Sequence, residues 1–106
     1  MSLPIFIDID GTLTHSQTGD PNREKQNGKP NFEMIEKVKN LINRKVEVVV
    51  WSGGGTKYAK DFCEKHEIYP LAVIGKPRIC VDDNPTIRPK ERIKILSPKD
   101  FLAGGL

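Results

Sequence analysis

Residues 46–55 read VEVVVWSGGG: four valines and a tryptophan within six residues, then a serine and three glycines. A run of β-branched and aromatic side chains is what a buried strand requires. The glycines end it abruptly. Thr56 then stands where it can cap a helix whose inner face is Tyr58, Ala59, Phe62 and Cys63. Upstream, Asn31 is a plausible cap, and Phe32, Ile35, Val38, Leu41 and Ile42 recur at helical spacing to about Asn43. Before that helix lies IFIDI, residues 5–9, a short apolar run between Pro4 and Gly11. After the glycines come LAVI (71–74), RICV (78–81) and RIKIL (92–96), read as three further strands. Ser97-Pro98 opens a last short helix, PKDFL. Strand, helix, strand, helix, strand predicts an α/β fold, a three-layer Rossmann-like sheet of mostly parallel strands with flanking helices.

A chain of 106 residues suffices for a single domain, expected over 1–106. Hydrophobic content of 37% and charged content of 29% place it among globular proteins rather than disordered ones. Seventeen basic against fourteen acidic residues leave +3, too mild to point to nucleic acid or a membrane surface. No apolar stretch approaches the roughly 20 residues of a membrane span, and no signal peptide is visible. Cys63 and Cys80 lack metal-binding spacing and read as buried free thiols in a reducing cytoplasm. Residues 15–30, HSQTGDPNREKQNGKP, contain no Val, Ile, Leu, Met, Phe, Tyr or Trp and form a surface loop or hairpin.

Ligands of parallel sheets collect at the carboxyl ends of the strands. Here those ends carry Asp8-Ile9-Asp10-Gly11-Thr12, then Ser52-Gly53-Gly54-Gly55, then Gly75-Lys76-Pro77, then Asp82-Asp83-Asn84-Pro85. Clustered carboxylates call for a cation, and an oxygen-only donor set suits Mg²⁺. A serine and glycines at a helix N-terminus offer N–H groups to an anion, and a lysine adds a point charge. Together these describe phosphoryl transfer through an aspartyl-phosphate.

The motifs FIDIDGTLT, VVVWS, GKP and CVDDNP, in that order, resemble those of the haloacid dehalogenase-like hydrolase superfamily across almost the whole chain. The resemblance implies Asp8 as nucleophile and Asp10 as the acid and base that protonates the leaving group and then activates water. It implies Mg²⁺ held by the Asp8 carboxylate, the Asp10 main-chain carbonyl and Asp83, with Asp82 orienting Lys76 or a metal-bound water. Thr12 would hold Asp10 in place and, with Ser52, Gly53 and Lys76, face the phosphate. Dehalogenating members generally lack the second Asp, so Asp10 points to a phosphatase. One departure stands out: most relatives separate the third and fourth strands by a helix, whereas only three residues do so here. The short phosphatases of capsule polysaccharide synthesis are similar in this respect.

Neither insertion point where relatives carry a cap has room for one, so no cap domain is expected. Residues 15–30 form at most a flap, on which Arg23, Lys25 and Lys29 would attract an anion. An open site suits a large phosphorylated substrate, such as a protein, a nucleic-acid end or a saccharide; VDDNP is also similar to the motif of capless phosphatases acting on polymerase tails. Homo-oligomerisation supplying the missing wall is the other reading. His15 follows the first motif and is a second-rank candidate for the substrate side; His66 reads as a helix-end residue. Two other classes compete: a silent phosphate-binding or scaffold protein on the same fold, and a receiver module. A receiver carries its Lys-Pro on the last strand, after its acidic residues, whereas here Lys76-Pro77 precedes Asp82-Asp83.

Overall fold

A computed structural model describes residues 3–16, 28–81, 83 and 96–104. The valine-rich run forms β2 (Val48–Ser52), the middle of a three-stranded sheet between β1 (Ile5–Asp8) and β3 (Ala72–Gly75). Both pairings are parallel, with Asp8 beside Trp51 and Ser52 beside Gly75. Parallel neighbours need long crossovers, and helices supply them: α1 (Phe32–Asn43) between β1 and β2, α2 (Thr56–Lys65) between β2 and β3. The fold is therefore α/β, a parallel sheet with flanking helices, and no cap is present among the described residues. No described helix is long and apolar enough to cross a membrane.

Alternation along the strands sorts the side chains. Ile7, Val48, Val50 and Ser52 share one face and are all buried. Against them lie Met34, Ile35, Val38 and Leu41 of α1 and Ala59 and Cys63 of α2, also buried. Each large aliphatic chain removed from water contributes about 1.5–3 kcal/mol. The other face carries Phe6, Asp8, Val49, Trp51 and Ile74. Phe6 is 44% exposed and stands edge-on to Trp51, ring centroids 4.7 Å apart.

Helix α1 begins as the sequence predicts, the Asn31 side chain accepting the Met34 N–H at 3.3 Å. One expected core position and one expected cap differ. Phe32, at the first helical position, is exposed and lies edge-on to His66. Thr56 is the first residue of α2 rather than its cap; Gly55 takes the cap position at φ +102°. Both helices end in Schellman turns: Val46 N–H to Leu41 C=O and Lys45 N–H to Ile42 C=O, then Ile68 N–H to Cys63 C=O and Glu67 N–H to Glu64 C=O. The left-handed positions of these turns hold Lys45 (φ +66°) and Glu67 (φ +56°), where glycine is the usual choice. Because Glu67 is exposed, Glu67→Gly relieves that crowding with no loss of packing. We expect a net gain of about 0.5–1 kcal/mol, read as a higher urea midpoint; an unchanged or lower midpoint would contradict the strain argument.

The chain divides into two compact units, Met1–Lys76 and Pro77–Leu106. In the second, residues 78–81 form no strand, and Ile79 and Val81 are 76% and 97% exposed. This corrects the reading of RICV as a strand: the Gly75-Lys76-Pro77 link is far too short for a parallel crossover. RIKIL falls outside the described residues except Leu96. The last helix, α3 (Pro98–Leu102), forms as predicted, with Ser97 Oγ accepting the Asp100 N–H at 3.1 Å. Of the two cysteines, Cys63 is buried, and burial pushes its thiol up to about 11; Cys80 is exposed, contrary to the expected pair of buried thiols.

Candidate active site

β1 ends at Asp8, and Ile9–Leu13 then form one wide turn, closed by the Thr14 N–H on the Ile9 carbonyl at 3.0 Å. Ile9 and Leu13 are fully buried and anchor the turn, which packs on α1 and β2. Gly11 sits at φ +80°, a value that costs other residues energy. Its N–H donates to Thr14 Oγ1 at 3.1 Å. With its base fixed, the turn presents Asp10 to solvent at its tip.

Where the polar segment leaves and re-enters this turn, its two ends pair. Thr14 bridges Pro30, the His15 N–H donates to the Lys29 carbonyl, and the Gly28 N–H donates to the His15 carbonyl. Residues 17–27, with Arg23 and Lys25, lie outside the described residues.

Lys76 reaches the first motif directly. Its Nζ lies 3.2 Å from Asp8 Oδ1 and 5.7 Å from the centre of the Trp51 ring. Strand order explains this: Asp8 ends β1 and Lys76 directly follows β3, strands two places apart, about 9–10 Å. The long lysine stem spans the strand between them, over Trp51. The backbone of Lys76 is pinned by its N–H on the Ser52 carbonyl at 2.8 Å, and Gly75 N–H donates to Thr56 Oγ1 at 2.8 Å. A side chain at Gly75 would crowd the neighbouring backbone, since a Cβ there would lie 3.0 Å from Thr56 N and 3.1 Å from Gly55 Cα. The lysine needs no helix to carry it.

Ser52 is fully buried on the helix-covered face, where its Oγ accepts the Gly54 N–H at 3.0 Å. Gly53 and Gly54 are exposed at the start of α2. Thr12 is half-buried in the wide turn, whose organising hydroxyl is that of Thr14.

The side chain on Asp10 is one that periodicity misplaces. Tyr58, expected on the inner face of α2, is exposed, and its O–H donates to Asp10 Oδ1 at 2.7 Å. That hydrogen bond, then partial burial, then the charges of Asp10 and Asp8 push the phenol up to about 12, so it remains a donor throughout the neutral range. The available signal was chemical: a buried tyrosine needs a partner for its hydroxyl, and the first turn after a strand end lies beside the site.

Of the expected cation ligands, Asp8 ends β1 and Asp10 lies on the turn that follows it. Asp83 is exposed in the C-terminal unit, and Asp82 lies outside the described residues. Among the described residues no three His, Cys, Asp or Glu side chains gather around one point. The expected set asks for less, two carboxylates and a main-chain carbonyl, and these all-oxygen donors are of the kind a hard cation takes. Lys76 engages one of the two oxygens of Asp8. Comparisons with protein-family models, curated proteins and solved structures give no match to this chain.

Proposed function

We propose that the chain is a Mg²⁺-dependent phosphomonoesterase of the haloacid dehalogenase-like type, working through an aspartyl-phosphate on Asp8. The observation that carries this reading is the 3.2 Å approach of Lys76 Nζ to Asp8 Oδ1. Two motifs nearly 70 residues apart in the chain meet at one end of the sheet, the place where α/β folds bind ligands.

In the first half-reaction an Asp8 carboxylate oxygen attacks phosphorus, the bond from phosphorus to the ester oxygen breaks, and the leaving oxygen takes a proton from the Asp10 carboxyl. In the second, Asp10 accepts a proton from water as that water attacks the phosphorus. Phosphate leaves, and Asp8 is again a carboxylate. Lys76 neutralises charge on the phosphoryl oxygens, and Gly53, exposed ahead of the start of α2, offers its N–H to the same anion. Bound Mg²⁺, held by Asp8 and the Asp10 carbonyl, would supply further neutralisation of the same oxygens. The substrate is a phosphate monoester on a molecule large enough to dispense with a lid, such as a polymer or saccharide. The free thiols fit a reducing, cytoplasmic setting.

Initial rates on p-nitrophenyl phosphate test the reading. Turnover is expected in millimolar Mg²⁺, with at least about a 100-fold loss in EDTA that added Mg²⁺ reverses. Turnover indifferent to EDTA would overturn the proposal.

A further inference from the structure

We propose that Tyr58 is a positioning residue for Asp10, its phenol O–H fixing the carboxylate that carries the proton in both half-reactions. This rests on the hydrolase reading above and adds to it a residue that none of the four motifs contains.

The wide turn fixes the backbone of Asp10 through Ile9, Leu13 and Thr14, but an exposed carboxylate on a fixed backbone still turns about two side-chain bonds. The O–H of Tyr58 stops that rotation. It approaches from 48 residues away, and 2.7 Å is short enough for a charge-assisted bond. With Oδ1 committed to Tyr58, the proton that Asp10 gives and takes is directed to its other oxygen.

Tyr58 is itself held. Its ring lies against the backbone of Gly54, where a Cβ would come 2.9 Å from Cδ2 and 3.3 Å from Cγ. The third residue of SGGG therefore has a second task besides breaking the strand: it leaves room for the ring that reaches Asp10. Gly54 also donates its N–H to Ser52 Oγ, so the contact is seated on the buried end of β2. Acid–base assistance is worth about 10²–10⁴-fold, and a misplacement of about 1 Å can cost about 100-fold.

A mere brace between α2 and the turn would predict something else. Losing a brace lowers stability and leaves kcat intact; losing a positioning bond lowers kcat and does not raise KM. The test uses wild type, Tyr58→Phe, Gly54→Ala and the double variant with p-nitrophenyl phosphate and an alkyl phosphate in Mg²⁺, alongside thermal unfolding. Tyr58→Phe is expected to lower kcat about 10- to 100-fold without raising KM, more on the alkyl ester, whose leaving oxygen depends more on the acid. Gly54→Ala should fall in the same direction, and the double variant should be no worse than the more impaired single variant, because both changes remove one contact. Unchanged kcat in Tyr58→Phe, a loss confined to KM, or a loss of stability alone would each overturn the inference. Wild type turning over in Mg²⁺ beside an unimpaired Tyr58→Phe would sink this inference alone. Absence of Mg²⁺-dependent turnover in wild type would sink the hydrolase reading beneath it.

Discussion

Asp8→Asn should retain no more than about one part in 10⁴ of wild-type turnover on p-nitrophenyl phosphate. The amide has the shape of the carboxylate and none of its nucleophilicity, so the covalent route closes while the site keeps its form. What remains is whatever Lys76 and Gly53 achieve by binding alone. The same substitution removes the ion pair with Lys76. Both partners are substantially exposed, with 42% and 32% of their side-chain surface accessible. Exposed pairs are worth only about 0–1 kcal/mol, so the melting temperature should move by a few degrees at most. A dead but folded variant therefore reports chemistry. Acid quenching during turnover should recover phosphorylated wild type and no phosphorylated variant. Retention of more than about 1% of the rate would place the nucleophile elsewhere, because losing a covalent nucleophile costs far more than that.

Much of this site was legible because its residues carry their own local signals. The Asn31 cap and the helical spacing through Leu41 define α1 at both ends, and the valine run locates β2. Four apolar residues, by contrast, do not distinguish a strand from an exposed stretch. LAVI became β3 because Val49, Val50 and Trp51 offered it a neighbour, whereas RICV follows too closely to reach any parallel partner. The approach of Lys76 to Asp8 depends on strand order, which only the pairing reveals. Tyr58 and Phe32 show the limit of periodicity: each borders an apolar stripe, and the stripe's edge depends on what packs above it. Ser52 shows the same limit on a strand. Because Asp8 pairs with Trp51, Ser52 falls on the opposite, helix-covered face and engages Gly54. Its motif position suggests a ligand-facing hydroxyl; alternation makes it a buried link between β2 and α2 as well.

Asp10→Asn should separate the two half-reactions. Asparagine still accepts the Tyr58 O–H, so the contact at 2.7 Å has no reason to break, and the turn is held by Ile9, Leu13 and Thr14 rather than by the side chain. What disappears is the movable proton. p-Nitrophenolate is a good leaving group that departs with little help, so phosphorylation of Asp8 should slow only modestly on that ester. Hydrolysis of the aspartyl-phosphate needs a base for water whatever the first substrate was, and should slow by about 10²–10⁴-fold. The expected signature is a burst of nitrophenol approaching one equivalent per chain, followed by slow turnover, with the phosphorylated chain recoverable after acid quench. On an alkyl phosphate, where the leaving oxygen must be protonated, formation of the intermediate should be slow too and the burst should vanish. A variant that showed no burst on the aryl ester and turned over both esters at near wild-type rates would assign the proton transfers to another group.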